Sequence, residues 1–423
     1  MISVINNKID IFLKLLLLSF PILMILGPFA LNCFSIIFSL YALINYKKIK
    51  ILNKKIILIF FSFVILIFPF GSIEFQNSFF KYLSFFRFIL MLFGLIIFFK
   101  KKDSENNILP KIYKIYFFIL VIIVIDILKE IFFGTNLLGY SSVYDGRIAS
   151  FTNNELIIGY IFCFLVLFTL INIYKKTNHF NFFIAVCILL AISFIIGERS
   201  NFLKLTSLII VFSFVHFFYL NKLKIKNILL IIPIIFVLMI SFYELTKDTF
   251  QGKKFYRFSN ELIVLKENKI SSNIKEKFYN SQHGPHYLTA YKIFLNYPLF
   301  GIGINNFYLE SKKKQYVDKR LKWSGGSRAS THPHQTYLEI ISEVGLFGLI
   351  YFIFIFFYPA YVSFRSLIKN KEINLISHLL LHFYFIFPIL PSGSFFGTNI
   401  GVPFWFNLAI LLYLSNKNLK IHS

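Results

Sequence analysis

The sequence predicts an all-α protein, a polytopic bundle of transmembrane helices with about 12 spans. Of its 423 residues, 57% are hydrophobic and only 15% are charged. The mean hydropathy of +0.70 is too high for a soluble protein. Apolar runs such as 56–68 and 232–243 have no polar stripe at helical spacing. Each would present apolar surface on all sides, as a lipid-facing helix does.

The spans are predicted from windows long enough to cross about 30 Å of hydrocarbon. They lie near residues 10–27, 29–46, 55–70, 79–99, 112–133, 155–174, 180–197, 201–220, 227–245, 336–364, 374–390 and 402–416. The first two share one apolar stretch interrupted at Gly27 and Pro28, so eleven spans remain possible. Basic residues precede the first run, but no small-x-small cleavage site follows it. We therefore interpret it as a retained helix.

Lysine is distributed unevenly among the connections between spans, and this predicts their orientation. The lysine-rich connections are 47–55, 100–114, 174–176, 221–226 and 365–371, together with the C-terminal tail. They are expected in the cytoplasm. The alternating connections are 71–78, 134–154, 197–201 and 391–401. Their only basic residues are Arg147 and Arg199. They are expected to face outward. The long connection 246–335 is expected on that side too, because one predicted span separates it from the cytoplasmic connection 221–226.

The net charge of +25 does not predict a nucleic-acid partner. Much of the lysine lies in short tracts between apolar runs, where membrane topology explains it, and no zinc-finger, helix-turn-helix or RNA-binding signature is present. The partner that composition predicts is the lipid bilayer. Cys33, Cys163 and Cys187 fall inside predicted spans, so no external disulfide framework is expected.

Residues 331–348, THPHQTYLEIISEVGLFG, place ionisable groups where a predicted span begins. Imidazole has the unperturbed pKa nearest neutrality, so His334 is a candidate general base, with a structural role at the helix N-terminus as the alternative. His332, His283 and His286 lie on the same predicted loop and raise the question of zinc. No metal is expected, because no cysteine is external and neither histidine pair has helical ligand spacing.

Two arginines and one turn complete the candidates. Arg199, in GERSN, is either an anion-binding residue at the mouth of a cavity or a side chain that reaches the membrane interface, with Glu198 as its partner. Arg147 precedes Thr152 and Asn153, which are helix-capping residues in this interpretation. In YPLFGIGINNF at 297–307, Pro298, Gly301 and Gly303 predict a tight structural turn rather than a dinucleotide site.

These motifs resemble those of the O-antigen ligase and O-antigen polymerase superfamily of bacterial envelope glycosyltransferases. The matching stretches are HPHQTYLEIISEVGLFG, YPLFGIGINNF and GERSN, with RIASFTNNELIIGY as a weaker fourth. The resemblance implies N-terminal transmembrane helices at 1–135 and a ligase-like core at 136–420 that includes a periplasmic loop at 246–335. It also implies a multi-pass protein of the bacterial inner (cytoplasmic) membrane whose active face is periplasmic.

The resemblance implies catalytic roles for His334 and Arg199 in an inverting, metal-independent glycosyl transfer without a cofactor. A second family arginine is missing near His283. The candidates for its substrate-binding role are His283, His286, Lys292, Arg147 and Arg328. Glu339 or Glu343 is a candidate to orient the histidine ring, and Glu343 is also counted among the substrate-binding candidates.

The implied donor is an undecaprenyl-diphosphate-linked glycan. The acceptor is a sugar of the lipid A core or a second lipid-linked repeat, and some relatives glycosylate proteins; the sequence does not decide among them. The alternative function is a polysaccharide transporter or flippase without catalysis. Its best intramembrane charges are Asp126, Lys129 and Glu130, but no clear internal repeat supports it.

The orientation predicts the labelling of single cysteines by a membrane-impermeant thiol reagent in intact spheroplasts. A cysteine at Gly326 should be labelled, because this loop is expected outside the cell, whereas a cysteine at Asn53 should be protected. The reverse pattern would move the candidate active face to the cytoplasm.

Overall fold

The computed structural model describes part of the chain. The described residues are 2–51, 54–106, 108–144, 146–153, 155, 157–215, 244, 247–248, 253, 281, 283–317 and 329–417. The residues outside this description include Arg328, Gly326 and Asn53, nearly all of the predicted span 227–245, the end of the span 201–220 and about half of the loop 246–335.

Fifteen α-helices and no strand are found in the described residues, in agreement with the all-α prediction. They are α1 (Ile2–Leu18), α2 (Phe20–Leu26), α3 (Pro28–Ile44), α4 (Lys54–Leu66), α5 (Phe75–Asn106), α6 (Ile108–Phe133), α7 (Ile158–Lys176), α8 (His179–Ile195), α9 (Arg199–Val215), α10 (Gly284–Asn296), α11 (Phe307–Ser311), α12 (Thr336–Glu343), α13 (Gly345–Asn370), α14 (Asn374–Phe385) and α15 (Thr398–Lys417).

Four of the described helices are long and apolar enough to cross a membrane. They are Phe75–Lys101, Ile158–Lys176, Gly345–Asn370 and Thr398–Asn416. Helices α1 and α2 add a fifth if they form one span bent by 61°. The chain is thus a multi-pass helical membrane protein. Helices α3 and α8 are apolar but have only 17 residues each, and the predicted total of about 12 spans is not shown by the described helices.

The predicted span 336–364 is wrong at its start, because the structure divides it. The polar segment Thr336–Glu343 forms the short helix α12, and the membrane-spanning helix α13 begins at Gly345. Gly345 has a φ of +76°, a left-handed backbone that breaks the helix and that glycine adopts at little cost. Two acidic residues, Glu339 and Glu343, are therefore placed before the span instead of inside it.

The chain forms two compact units, one from Met1–Tyr116 with Lys275–Ser423 and the other from Phe117–Ile274. The first unit contains α1 to α5, the start of α6 and α10 to α15; the second contains the rest of α6 and α7 to α9. The sequence-based division into 1–135 and 136–420 follows a resemblance rather than compactness, and it stays a prediction.

Aromatic rings fill the core of the first unit. Phe395, in the connection before α15, lies 5.3 Å from the Phe352 ring and 5.0 Å from the Phe404 ring, measured between centroids. Phe404 packs edge-on against the fully buried Trp405 at 5.5 Å. These edge-to-face contacts fix the connection 391–397 against α13. The connection therefore has a defined position next to the segment that carries His334.

Carboxylates at the end of α6 hold the connection 134–153 in the second unit. Asp126 accepts hydrogen bonds from the Leu137 amide at 2.6 Å and the Ser150 hydroxyl at 2.5 Å. Glu130 accepts from the backbone amides of Ala149 and Ser150 at 3.1 and 2.7 Å. Both side chains are buried, so these bonds compensate for their lost hydration. They fix the segment on which Arg147 lies.

Candidate active site

His334 lies in a turn that the backbone holds in an uncommon conformation. Its φ is +58°, the left-handed region that few residues other than glycine adopt. Such a conformation persists only when its surroundings impose it, and it is concentrated at functional sites. Here the His334 carbonyl accepts a 2.9 Å hydrogen bond from the Ser392 amide, while the next residue, Gln335, caps α12 by accepting from the Leu338 amide at 2.7 Å.

Three other imidazole rings surround that of His334. The ring centroid of His332 lies at 4.1 Å, that of His283 at 5.1 Å and that of His286 at 5.5 Å. His283 and His286 lie at the start of α10, about fifty residues earlier in the chain. The structure therefore brings together the four histidines that the sequence placed on one predicted loop.

The histidine cluster, meaning these four residues, lowers the basicity of its own members. Burial lowers the pKa of His334 to about 3, and the charged forms of His332, His283 and His286 would lower it further. Burial likewise lowers the pKa of His332 to about 4, with repulsion from His286 and His283 adding to the effect. Both imidazoles are therefore neutral at pH 7, which is the form that accepts a proton.

The hydrogen bonds of Ser330 indicate which nitrogen of His334 is basic. The Ser330 hydroxyl donates to the His332 carbonyl at 3.0 Å and also lies 3.2 Å from Nε2 of His334. A hydroxyl has a single hydrogen, so the assignment that satisfies both contacts has Nε2 donating its proton to Ser330. Nδ1 of His334 then carries the lone pair that can accept a proton.

The two glutamates of α12 accept hydrogen bonds from three backbone amides and one hydroxyl. Glu343 accepts from the amides of Asn305 and Phe307 at 3.0 and 3.2 Å. Glu339 accepts from the Ser394 hydroxyl at 2.5 Å and the Phe395 amide at 2.8 Å. Both are buried, and burial raises the pKa of each carboxyl above its usual value.

These recorded bonds give the two carboxyl groups structural partners other than the imidazole of His334. The proposed role of Glu339 or Glu343 in orienting that ring has no support from the contacts of either residue. The substrate-binding assignment of Glu343 stays a prediction.

The segment 298–303 docks its backbone on the break between α12 and α13. Gly301 and Gly303 have φ values of +66° and +89°. A Cβ at Gly301 would lie 2.6 Å from the Glu343 carbonyl oxygen, and one at Gly303 would lie 2.4 Å from the Ser78 hydroxyl. Side chains are therefore excluded at both glycines. The preceding residue Pro298, in the same segment, accepts a hydrogen bond from the Leu346 amide at 2.9 Å.

Arg147 and Arg199 both belong to the second unit. The segment that carries Arg147 lies beside the turn before α9, because the Ile148 amide donates to the Ile196 carbonyl at 3.1 Å. Gly197 has a φ of +84°, and a Cβ there would lie 2.2 Å from the Gly146 carbonyl oxygen. Arg199 is the exposed first residue of α9. The two arginines thus lie on adjoining segments.

Glu198 is held by bonds that the sequence did not reveal. It accepts from the Gly159 amide at 3.0 Å and from the Asn201 side chain at 2.5 Å. Burial raises the pKa of Glu198 to about 7, and these two bonds and the charge of Arg147 oppose that rise. The charge of Arg147 therefore acts on Glu198. The sequence-based pairing of Glu198 with Arg199 stays a prediction.

The remaining candidates add little to this geometry. Lys292 is exposed on α10, and Arg328 lies outside the described residues. Across the described segments, no three His, Cys, Asp or Glu side chains are arranged to hold a metal ion. Ser330 and Ser392, which contact His334, are not among the residues predicted from the sequence. The only signal for them is that both lie in short runs of small polar residues, ASTH and PSGS.

The comparisons with known proteins agree with the resemblance. A search of curated proteins found no match. The family model described as O-antigen ligase matches residues 151–353, just under half of the chain. This range includes Arg199, the glycine turn and the whole histidine cluster, but it ends before Ser392. Across residues 151–353, therefore, the chain carries a domain of the O-antigen ligase family.

Proposed function

We propose that this protein is a membrane glycosyltransferase that transfers or polymerises an undecaprenyl-diphosphate-linked glycan at the outer face of the inner membrane. The observation that carries the proposal is His334, a neutral imidazole on a left-handed backbone just before α12, the short helix that precedes the spanning helix α13. It lies inside a domain of the O-antigen ligase family. A lipid-linked donor keeps its chain in the bilayer and its diphosphate at the surface. Its chemistry therefore has to occur where a helix leaves the membrane.

The proposed reaction is a single displacement. The acceptor hydroxyl oxygen attacks the anomeric carbon while Nδ1 of His334 takes the hydroxyl proton. The bond from the anomeric carbon to the diphosphate oxygen breaks, and the diphosphate leaves with the electron pair. Attack from the face opposite the leaving group inverts the anomeric configuration. The proton and the charges balance without a metal ion or a cofactor.

The low pKa of His334 gives the anionic donor a part in catalysis. A base whose conjugate acid has a pKa of about 3 accepts a proton weakly. A diphosphate bound beside the histidine cluster would raise that pKa, because nearby negative charge stabilises an imidazolium. His283 and His286 would contribute to the same effect by donating hydrogen bonds to phosphate oxygens. His334 would then become a stronger base only when the donor is bound.

Arg199 and Arg147 are proposed to stabilise the charge that develops on the departing diphosphate. Guanidinium groups suit this role because they form two parallel hydrogen bonds to phosphate oxygens and stay charged. The adjoining segments at 146–148 and 196–199 support a joint contribution. Arg328 is a further candidate for the same contact. Fixed cations of this kind stabilise developing charge most strongly where water is scarce.

The acceptor divides the possibilities within this function. A ligase uses a sugar of the lipid A core, a polymerase uses a second lipid-linked repeat, and a protein-glycosylating relative uses a side chain. The transporter alternative relied on Asp126, Lys129 and Glu130 as intramembrane charges. Asp126 and Glu130 bind the connection 137–150, and the Lys129 ammonium donates to the Asn136 carbonyl at 2.7 Å, which favours structural roles for all three.

Replacement of the proposed base tests the function directly. His334→Asn should lower glycan transfer from a lipid-linked donor by about two orders of magnitude or more, the usual contribution of a positioned base. Asparagine tolerates the left-handed backbone, so the turn should be kept. The control His332→Asn should lose less activity, and a chelator should change neither variant. Normal transfer by well-expressed His334→Asn would contradict the mechanism, whereas equal loss in both variants with chelator sensitivity would favour zinc.

The pH profile tests the electrostatics of the cluster. Activity requires neutral His334, so it should be lost as the pH falls through its pKa. With that pKa at about 3 in the free protein, kcat/KM should not change with pH above about pH 5. In the donor complex the pKa should be higher, so the loss of kcat on lowering the pH should begin at a higher pH. His332→Asn should shift the loss of kcat/KM to higher pH, because it removes a neighbour whose positive charge lowers the pKa of His334. A loss of kcat/KM in the unmodified protein at a pH near the pKa of free imidazole would contradict this account.

Arg199→Lys tests whether the guanidinium has a geometric role. The variant keeps the charge but not the two-pronged contact, so transfer should fall by about tenfold or more. Arg365→Lys, at an exposed position near the end of α13, is the matched control and should transfer normally. Full activity of Arg199→Lys would make Arg199 an interfacial anchor.

A further inference from the structure

Two cations inside the span of α5 have no part in the site described so far. Lys81 and Arg87 both lie within Phe75–Lys101. A charged side chain within a span is costly and usually faces a polar cavity or a substrate path. Lys81 is six residues from the start of α5, a depth of about 9 Å at 1.5 Å per residue. The sequence-based span of this helix begins at residue 79, on the side expected to face outward, so Lys81 is expected near the outer boundary of the hydrocarbon, within reach of the membrane surface along its flexible side chain.

The first turn of α5 is attached to the glycine turn of the candidate site. The Ser78 hydroxyl donates to the Ile304 carbonyl at 2.9 Å, and the Asn77 side chain donates to the Asn305 carbonyl at 3.0 Å. Lys81 follows one helical turn later. Its ammonium is in electrostatic range of Glu343, Glu339 and Arg87. Lys81 is therefore adjacent to the helix that follows His334.

The two glutamates attract Lys81 but do not bind it. All four carboxylate oxygens of Glu339 and Glu343 already accept hydrogen bonds from residues 305, 307, 394 and 395. Within the part of the chain that the structure describes, the side-chain ammonium of Lys81 forms no hydrogen bond or ion pair. The glutamates thus offset the charge of Lys81, while its three N–H donors remain available.

Arg87 adds a second cation with neutral partners. It donates to the side-chain oxygens of Asn32 and Thr398 at 2.5 and 3.2 Å. Its Nε is buried without a hydrogen-bond partner. The charge of Arg87 also acts on Lys81, so the two cations lie within electrostatic range of each other.

We propose that Lys81, with Arg87 behind it, binds a phosphate oxygen of a polyprenyl phosphate or diphosphate that enters the site from the bilayer. An ammonium with free donors near the outer end of a span is suited to this ligand chemistry. The assignment of the ligand as the glycan donor rests on the proposed function. A phospholipid headgroup offers the same phosphate chemistry, and a purely structural Lys81 would only offset the charge of Glu339 and Glu343.

The test is direct binding of a fluorescent polyprenyl diphosphate to the full-length protein in phosphatidylcholine nanodiscs, measured by anisotropy. Lys81→Met, which keeps the length of the side chain, should weaken binding about tenfold or more, the effect of one lost charge-assisted hydrogen bond. Lys81→Arg should restore binding to within a few-fold of the parent. Lys369→Met removes an exposed lysine at the end of α13 and should bind like the parent. Thermal unfolding of each variant identifies misfolded protein, and Lys81→Gln replaces Lys81→Met if the latter unfolds.

Unchanged binding by folded Lys81→Met or Lys81→Gln would overturn the proposal, since the lysine would then be structural. Phosphatidylglycerol in the nanodiscs distinguishes the two lipid sources. If it displaces the probe as well as unlabelled undecaprenyl phosphate does, the occupant is a headgroup and the proposal is overturned; selective displacement by the polyprenyl compound supports it. Lys81-dependent binding without any glycan transfer would remove the proposed function alone. Normal transfer with Lys81-independent binding would remove this inference alone.

Discussion

The backbone contact between the turn at 298–303 and the helix break at 342–347 is the interaction on which the rest of the site depends. A helix that ends at a membrane boundary leaves carbonyl and amide groups that need partners. The carbonyls of Ser342 and Glu343 receive the amides of Ile302 and Gly303 at 3.1 and 2.8 Å. In return, the carbonyls of residues 298 and 299 accept from the amides of Leu346 and Phe347.

This reciprocal exchange gives hydrogen-bond partners both to the carbonyls at the end of α12 and to the amides at the start of α13. Because α10 leads directly into the turn, the same contact sets α10 beside α12. His283 and His286 at the start of α10 are thereby brought to His334 at the start of α12. Glu343 strengthens the arrangement by accepting the amides of Asn305 and Phe307. The four-ring cluster therefore follows from how a broken helix satisfies its backbone.

The sequence was sufficient for the features that depend on composition and local pattern. Hydropathy predicted the helical membrane class, and the motifs around His334, Gly301 and Arg199 predicted the family; both are confirmed. The break at Gly345 was not foreseen, because the apolar residues Val344 and Leu346 on either side continue the hydrophobic pattern of the span. A glycine within such a run does not by itself indicate a left-handed turn.

The features that depend on tertiary contacts could not be predicted. No pattern shows that Glu343 accepts from amides 36 and 38 residues away, or that Glu339 accepts from an amide 56 residues away. Both carboxyl groups therefore appeared available to orient an imidazole. The low pKa of His334 has no signature in the sequence, because both its burial and its three neighbouring rings arise only on folding. Ser392 is nearly sixty residues from His334 in the sequence, and its amide bond to the His334 carbonyl has no local signature.

The connection before α15 has a consequence for exchanging parts between related proteins. Ser392 supports the His334 backbone, and Ser394 and Phe395 bind Glu339, yet all three lie beyond the matched range 151–353. A chimera that exchanged only that range would carry the histidines into a scaffold whose own residues 391–398 have evolved against a different partner. Graft boundaries between related proteins therefore belong after α15 begins, so that the supporting connection is transferred together with the histidines.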